Sequence, residues 1–203
     1  AVIAPVVADR PVIDTLPFEA EELPPSTQEA YGRTALMPAA EQIAIVERFV
    51  RAWHGRDGRI SVAIGPSGPQ RCSDELLERA GELSRRCEIA FHSHVLETRA
   101  QQVMAQRLYG CSMIVHLHRL GVLSPRASLV HVIWAEPADF DLIARAGAAV
   151  IHNPVSNAKL GSGVCRVPEL LARGVTIGLG TDLSLIHISE PTRLRRISYA
   201  VFC

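Results

Sequence analysis

Apolar and polar positions along the chain switch repeatedly between two periods. From Pro38 to His54 the apolar residues Val46, Phe49, Val50 and Trp53 fall at i, i+3, i+4 and i+7, and Gly55 follows as a stop, which predicts a helix. Ile60 to Ile64 reads as a strand. Ser73 then supplies an N-cap, Asp74 and Glu75 favour the positive end of a helix dipole, and Leu76, Leu77, Ala80 and Leu83 form one apolar face. The alternation continues with a strand over Ile89 to Val95 and one or two helices over Thr98 to Leu120, broken near Gly110. A strand over Leu129 to Trp134 precedes a helix between Pro137 and Gly147, the expected asymmetry of start and stop residues. Ala149 to His152 is a strand, Val167 to Arg173 a short helix closed by Gly174, and Val175 to Leu179 a last strand. At the front, Ala1 to Ala8 is a short apolar run, and Arg10 to Thr34, rich in Pro and Glu, reads as a long loop.

Short strands that are apolar on both faces and separated by helices imply parallel pairing through crossover helices. A flat doubly wound sheet and a (β/α)8 barrel both satisfy that pattern. The polar residues favour the barrel: His94 and Glu97, His131, His152 to Asn157, and Asp182 all lie at or just past the C-terminal ends of successive strands. Barrel enzymes assemble their sites on that face. A dinucleotide fold would carry G-x-G-x-x-G after its first strand, and none occurs.

Composition narrows the class. The 203 residues are 48% hydrophobic and 21% charged, with 21 basic and 21 acidic side chains, so nothing draws the chain toward nucleic acid or acidic membranes. No run of about 18 apolar residues is present and the opening AVIAPVVADRP has no charged leader, so cytoplasm is the expected compartment. Five scattered cysteines, never in a C-x-x-C pair, argue against a disulfide framework or a thiolate zinc site.

Four motifs carry chemistry. H-x-x-E (His94, Glu97) follows one strand, LVH ends at His131 on the next, HNPVSNAKLGSG runs from His152 to Gly163, and GLGTD ends at Asp182. In this order they resemble the amidohydrolase superfamily, in particular its aminohydrolases and chlorohydrolases that act on purines, pyrimidines, triazines and nucleosides. The resemblance runs from Ala1 to Asp182 and implies an α/β fold, a partial (β/α)8 TIM-type barrel holding about strands 3 to 8. It implies one divalent metal ion, zinc before iron or manganese. His94 and Asp182 become metal ligands, Glu97 the proton shuttle and His131 the polarising group, with Glu97, His131 and Asp182 as the catalytic set. Asn157, His152 and Arg71 become candidate substrate contacts, and Cys72 faces the same mouth.

The physical reason for such a set is general. A hydrolytic metal site needs neutral imidazole and carboxylate ligands with one open position, where a bound water falls to a pKa of about 7. It also needs a proton shuttle beside that water and a group that stabilises developing charge. The implied reaction is hydrolysis of a ring C–N or C–Cl bond, foremost deamination of a purine, pyrimidine, triazine or nucleoside-like heterocycle. The alternative is a non-catalytic barrel relative serving as a binding or assembly scaffold. Small zinc deaminases with H-x-E and P-C-x-x-C are excluded because neither motif is present.

FHSHVLET, residues 91–98, looks like the metal-binding H-x-H of a first barrel strand, yet its place before His131 and Asp182 makes it the fifth. His92 is therefore expected as a hydrogen-bonded residue inside the barrel. A second H-x-H, His116 and His118, lies in a helical stretch where i and i+2 diverge, and both are expected at the surface. The first-strand H-x-H is expected upstream of Ala1, and the full-length protein is expected to be a homo-oligomer. Residues 183–203 resemble the translation of a transposase-type sequencing adapter, which would make them a non-native tail behind a barrel domain of residues 1–182. A chain with six of eight strands and two open edges is expected to be inactive and prone to aggregate.

Overall fold

The computed structural model describes residues 1–19, 22–32 and 36–182, so the adapter-like stretch lies outside the described residues. The first apolar run becomes two short strands, β1 (Val2–Ile3) and β2 (Val6–Val7), split at Pro5, which has no N–H to give a ladder. Both pair in parallel with β3 (Ser61–Pro66). The sheet then proceeds through β4 (Ala90–Val95), β5 (Ala127–His131), β6 (Ala149–His152) and β7 (Ile177–Leu179). Every pairing is parallel, in the order β1-β3-β4-β5-β6-β7, with β2 also on β3. This is the partial (β/α)8 barrel that the resemblance implied.

The helices form where the pattern puts them. The stretch expected to be all loop contains α1 (Pro25–Gly32). Next come α2 (Ala39–Trp53), α3 (Asp74–Arg86), α4 (Arg99–Tyr109) and α5 (Met113–Arg119). The break between α4 and α5 falls at Gly110, whose φ of 63° ends α4 in the left-handed conformation that glycine adopts without strain. They are followed by α6 (Pro137–Ala146), α7 (Pro154–Leu160) and α8 (Val167–Ala172).

Ser73 caps α3 by accepting the Leu76 N–H, and Leu76, Leu77, Ala80 and Leu83 are buried as expected. On α2 the inner face is Ile43, Val46 and Val50, whereas Trp53 is exposed at the last turn beneath the Arg56 guanidinium, 4.6 Å from its ring centre. Burying apolar area at about 25 cal/mol per Å² is what drives this layer of helices onto the sheet.

Two surface expectations need correction. His118 is exposed, but His116 is buried: its ring stacks on Tyr109 at 3.7 Å and its Nε2–H donates to Asp74 Oδ1 at 3.0 Å. The helix turns that ring inward between α3 and α4, which periodicity could not weigh because both faces of α5 carry apolar residues. Cys72 does not face the mouth. It is fully buried, its Sγ lies 3.6 Å from the Val7 carbonyl, and burial pushes its thiol up to about 12.

Candidate functional site

The site is built on the C-terminal ends of β3 to β7. Along β4, Phe91, Ser93 and Val95 point to one face and His92 and His94 to the other. His92 lies one layer below His94, with Nδ1 2.7 Å from Ser128 Oγ on β5, the hydrogen-bonded interior position expected for it. Burial, and then the neighbouring His94, hold its pKa below the ordinary histidine value. His94 donates from Nδ1 to the Ser67 carbonyl at 2.9 Å, and the Ser67 N–H is itself held by the Val7 carbonyl. The free nitrogen of His94 is therefore Nε2.

His131 reaches the same space by a break in the strand. In the β4–β5 register His94 lies beside Val130 and Val95 beside His131, so plain alternation would aim His131 at the helices. Its φ of 75°, followed by 49° at Val132, turns the side chain over to the barrel face. The two imidazoles then meet, with ring centres 5.6 Å apart. A β-branched residue at such a φ is strained by about 1–3 kcal/mol. Hydrogen bonds from Val132 N–H to the Val95 carbonyl, and from the Ile133 and Trp134 N–H groups to the Leu96 carbonyl, hold the turn in place.

His131 is fully buried; Nδ1–H donates to Asn157 Oδ1 at 2.8 Å, and Nε2 has no partner among the described residues. That Nε2 is 3.8 Å from Glu97 Oε2 and 3.8 Å from Asp182 Oδ2. Glu97 stands at the start of α4, where its N–H is taken by Gln101 Oε1 at 2.8 Å. Asp182 follows β7 and accepts the Ser156 hydroxyl at 2.6 Å.

His94, His131 and Asp182 thus offer ligand atoms that all lie within 4.8 Å of one another. Two imidazoles and a carboxylate, each tied on its far side by a hydrogen bond, are a donor set that suits a borderline dication such as zinc. The unpartnered, buried Nε2 of His131 is the mark of a fit, because a buried lone pair without a partner costs about 1–3 kcal/mol. The geometry places His131 among the possible ligands as well as 3.8 Å from the Glu97 carboxylate.

The remaining expected residues are distributed as follows. His152 ends β6, its Nδ1 is buried without a partner among the described residues, and burial followed by the nearby His131 lowers its pKa. Arg71 closes the turn after β3; its carbonyl accepts the Asp9 and Arg10 N–H groups and its Nη1 is likewise buried and unpartnered. Ser156 and Asn157 lie in α7. Sequence reasoning missed Ser156 as the partner of Asp182 and the Ser67 carbonyl as the partner of His94. The only available signal was a pair of small polar residues next to a strand end.

A model of the amidohydrolase family matches residues 7–203. The chain belongs to that family. The match extends over the adapter-like residues, which lie outside the described structure. Among curated proteins this amidohydrolase is 40% identical over 137 residues to a 5'-deoxyadenosine deaminase of Methanosarcina mazei, covering 67% of the chain and 32% of that protein. It is 38% identical over 138 residues to a 5-methylthioadenosine/S-adenosylhomocysteine deaminase of Nitratidesulfovibrio vulgaris, covering 68% and 31%. Among solved structures, an adenosine deaminase from Xanthomonas campestris with bound zinc superposes with a TM-score of 0.69 at 26% identity, over 87% of the chain and 35% of that structure. The guanine deaminase of C. acetobutylicum, at 21% identity and a TM-score of 0.73 over 90% and 40%, shares the fold. The chain therefore spans about a third of the length of the curated relatives it matches.

Proposed function

We propose that the protein to which this chain belongs is a metal-dependent hydrolase that removes an exocyclic amino group from an adenosine-like nucleoside. The observation that carries this reading is the convergence of His94, His131 and Asp182 within 4.8 Å, with the Glu97 carboxylate 3.8 Å from His131 Nε2. Relatives that deaminate 5'-deoxyadenosine and 5-methylthioadenosine support the substrate class, and a zinc-containing adenosine deaminase of the same fold supports zinc.

A bound dication supplies Lewis acidity and a nucleophile at neutral pH. The chain's own residues do the rest. His94 and Asp182 hold the ion, and His131 presents a lone pair or a positive charge to the oxygen that attacks the ring. Glu97, beside His131, moves a proton from that oxygen to the ring nitrogen and then to the departing ammonia. His152 at the end of β6 and Arg71 after β3, whose buried nitrogens have no partner among the described residues, contact the substrate.

The test uses the complete reading frame. Glu97→Gln keeps size and hydrogen bonding but cannot carry the proton, so metal content stays near normal while ammonia release from 5'-deoxyadenosine falls by about 10²-fold to 10⁴-fold. His94→Ala loses metal and turnover together. Glu97→Gln turning over at nearly the unmodified rate overturns the shuttle. A metal-free, inactive complete protein returns the reading to a scaffold.

A further inference from the structure

β6 lies between β5 and β7 in the sheet, and only Asn153 separates its end from the start of α7. The first turn of α7 therefore overhangs the ends of both neighbouring strands. Ser156 and Asn157 are consecutive residues of that turn, and successive helical side chains point about 100° apart. They reach to opposite sides: the Ser156 hydroxyl donates to Asp182 beyond β7, and Asn157 Oδ1 accepts from His131 at the end of β5. Both residues are buried, 0% and 2% exposed, so water does not substitute for either partner.

The consequence for His131 is specific. A neutral imidazole carries one proton, and its two nitrogens are distinct. Left to its surroundings, Nε2 would take that proton, because it faces two carboxylate oxygens at 3.8 Å. A carbonyl oxygen at 2.8 Å from Nδ1 opposes this and draws the proton to the other side of the ring. The amide Nδ2 of Asn157 is buried and has no partner among the described residues, so the carboxamide meets the ring through its oxygen, which can only accept.

We propose that Asn157 is a positioning residue that selects the Nδ1–H tautomer of His131, leaving Nε2 as a lone pair aimed between Glu97 and Asp182, and that it does not contact substrate. The proposal deepens the reading of His131 as a site residue, but its test requires neither metal nor turnover. The complete reading frame is expressed with ¹⁵N-labelled histidine and stripped of metal, and long-range proton–nitrogen correlations report which ring nitrogen is protonated. His131 is assigned by the signals that vanish in His131→Gln.

The unmodified chain is expected to show protonated Nδ1 and bare Nε2 at His131. Asn157→Asp, whose side chain can only accept, keeps Nδ1 protonated. Asn157→Leu, of similar size without an acceptor, shifts the tautomer ratio toward Nε2–H by about tenfold or more, the worth of one buried hydrogen bond. Nε2–H in the unmodified chain, or an unchanged ratio in Asn157→Leu, overturns the proposal. If Asn157→Leu does not fold, Asn157→Asp decides: Nδ1–H retained, with or without a second proton on Nε2, supports the proposal, and a bare Nδ1 overturns it. A confirmed tautomer in a protein that never releases ammonia would sink the deaminase reading alone.

Discussion

Gly180 is the point where β7's continuation comes closest to the turn that carries the site. A Cβ built there would lie 2.3 Å from Asn153 Oδ1 and 3.2 Å from Ile151 Cγ2, while its N–H donates to the His152 carbonyl at 3.0 Å. Asn153 is 3% exposed, and its carbonyl accepts the Asn157 N–H as α7 begins, so its carboxamide has little room to retreat. Overpacking of this kind costs about 1–3 kcal/mol, and weakening the bond to His152 adds about 1 kcal/mol. Gly180→Ala should therefore lose about 2–4 kcal/mol. Two controls separate the causes. In Gly178→Ala the new methyl meets only Ile151 Cδ1, at 2.8 Å, the far end of a side chain that can change rotamer, and about 1 kcal/mol or less is expected. In Gly110→Ala there is open space but a φ of 63°, and about 1–2 kcal/mol follows from backbone strain alone. Urea denaturation followed by the fluorescence of Trp53 and Trp134 gives the three values by linear extrapolation. If Gly180→Ala and Gly178→Ala fall within about 0.5 kcal/mol of each other, the steric argument is refuted.

Stability should fall as the solution is acidified through the histidine range. His92 and His152 both have folded pKa values below the ordinary 6.5, His92 from burial and then His94, His152 from burial and then His131. The unfolded chain thus takes up protons first: stability is full above 6.5 and is lost as pH drops toward the folded values. Asp139 works in the opposite sense at lower pH, because burial raises its pKa and the folded form binds the proton better. Urea midpoints measured from about pH 7.5 to about pH 5.5 check the sign; a rising midpoint on acidification contradicts it. A thiol reagent at neutral pH should modify the half-buried Cys87 and Cys111 in the folded chain. Cys72 and Cys165, buried and pushed up to about 12 and about 11, should react only after urea is added, as mass spectrometry of the labelled peptides would show.

The order of strands and helices and the helix limits around Ser73, Gly110, Pro137 and Gly147 were legible from local pattern, whereas His94, Glu97, His131 and Asp182 stood out through the motifs that carry the family resemblance. Caps, breakers and apolar period act over a few residues, so a single sequence displays them. The strand at His131 shows where this ends. Apolar residues continue past it as Val132 and Ile133, so the pattern extends the strand to Trp134, whereas the ladder stops at His131. The backbone turns over there only because the Val95 and Leu96 carbonyls on the next strand capture the following N–H groups.

The sequence by itself determined a parallel α/β barrel portion and which residues gather at one end of its strands. Only the tertiary structure decided which way those residues face and what holds them. His131 is on the barrel face because two residues accept positive φ values, a cost that hydrogen bonds to the distant Val95 and Leu96 carbonyls repay. Ser156 and Asn157 act on Asp182 and His131 because β6 happens to lie between β5 and β7, an adjacency with no local trace. His116 is a core residue for the same reason, since Asp74 and Tyr109 meet it from two other helices. Alternation and helical period fix a side chain relative to its own element, whereas hydrogen bonds between elements fix it relative to the site.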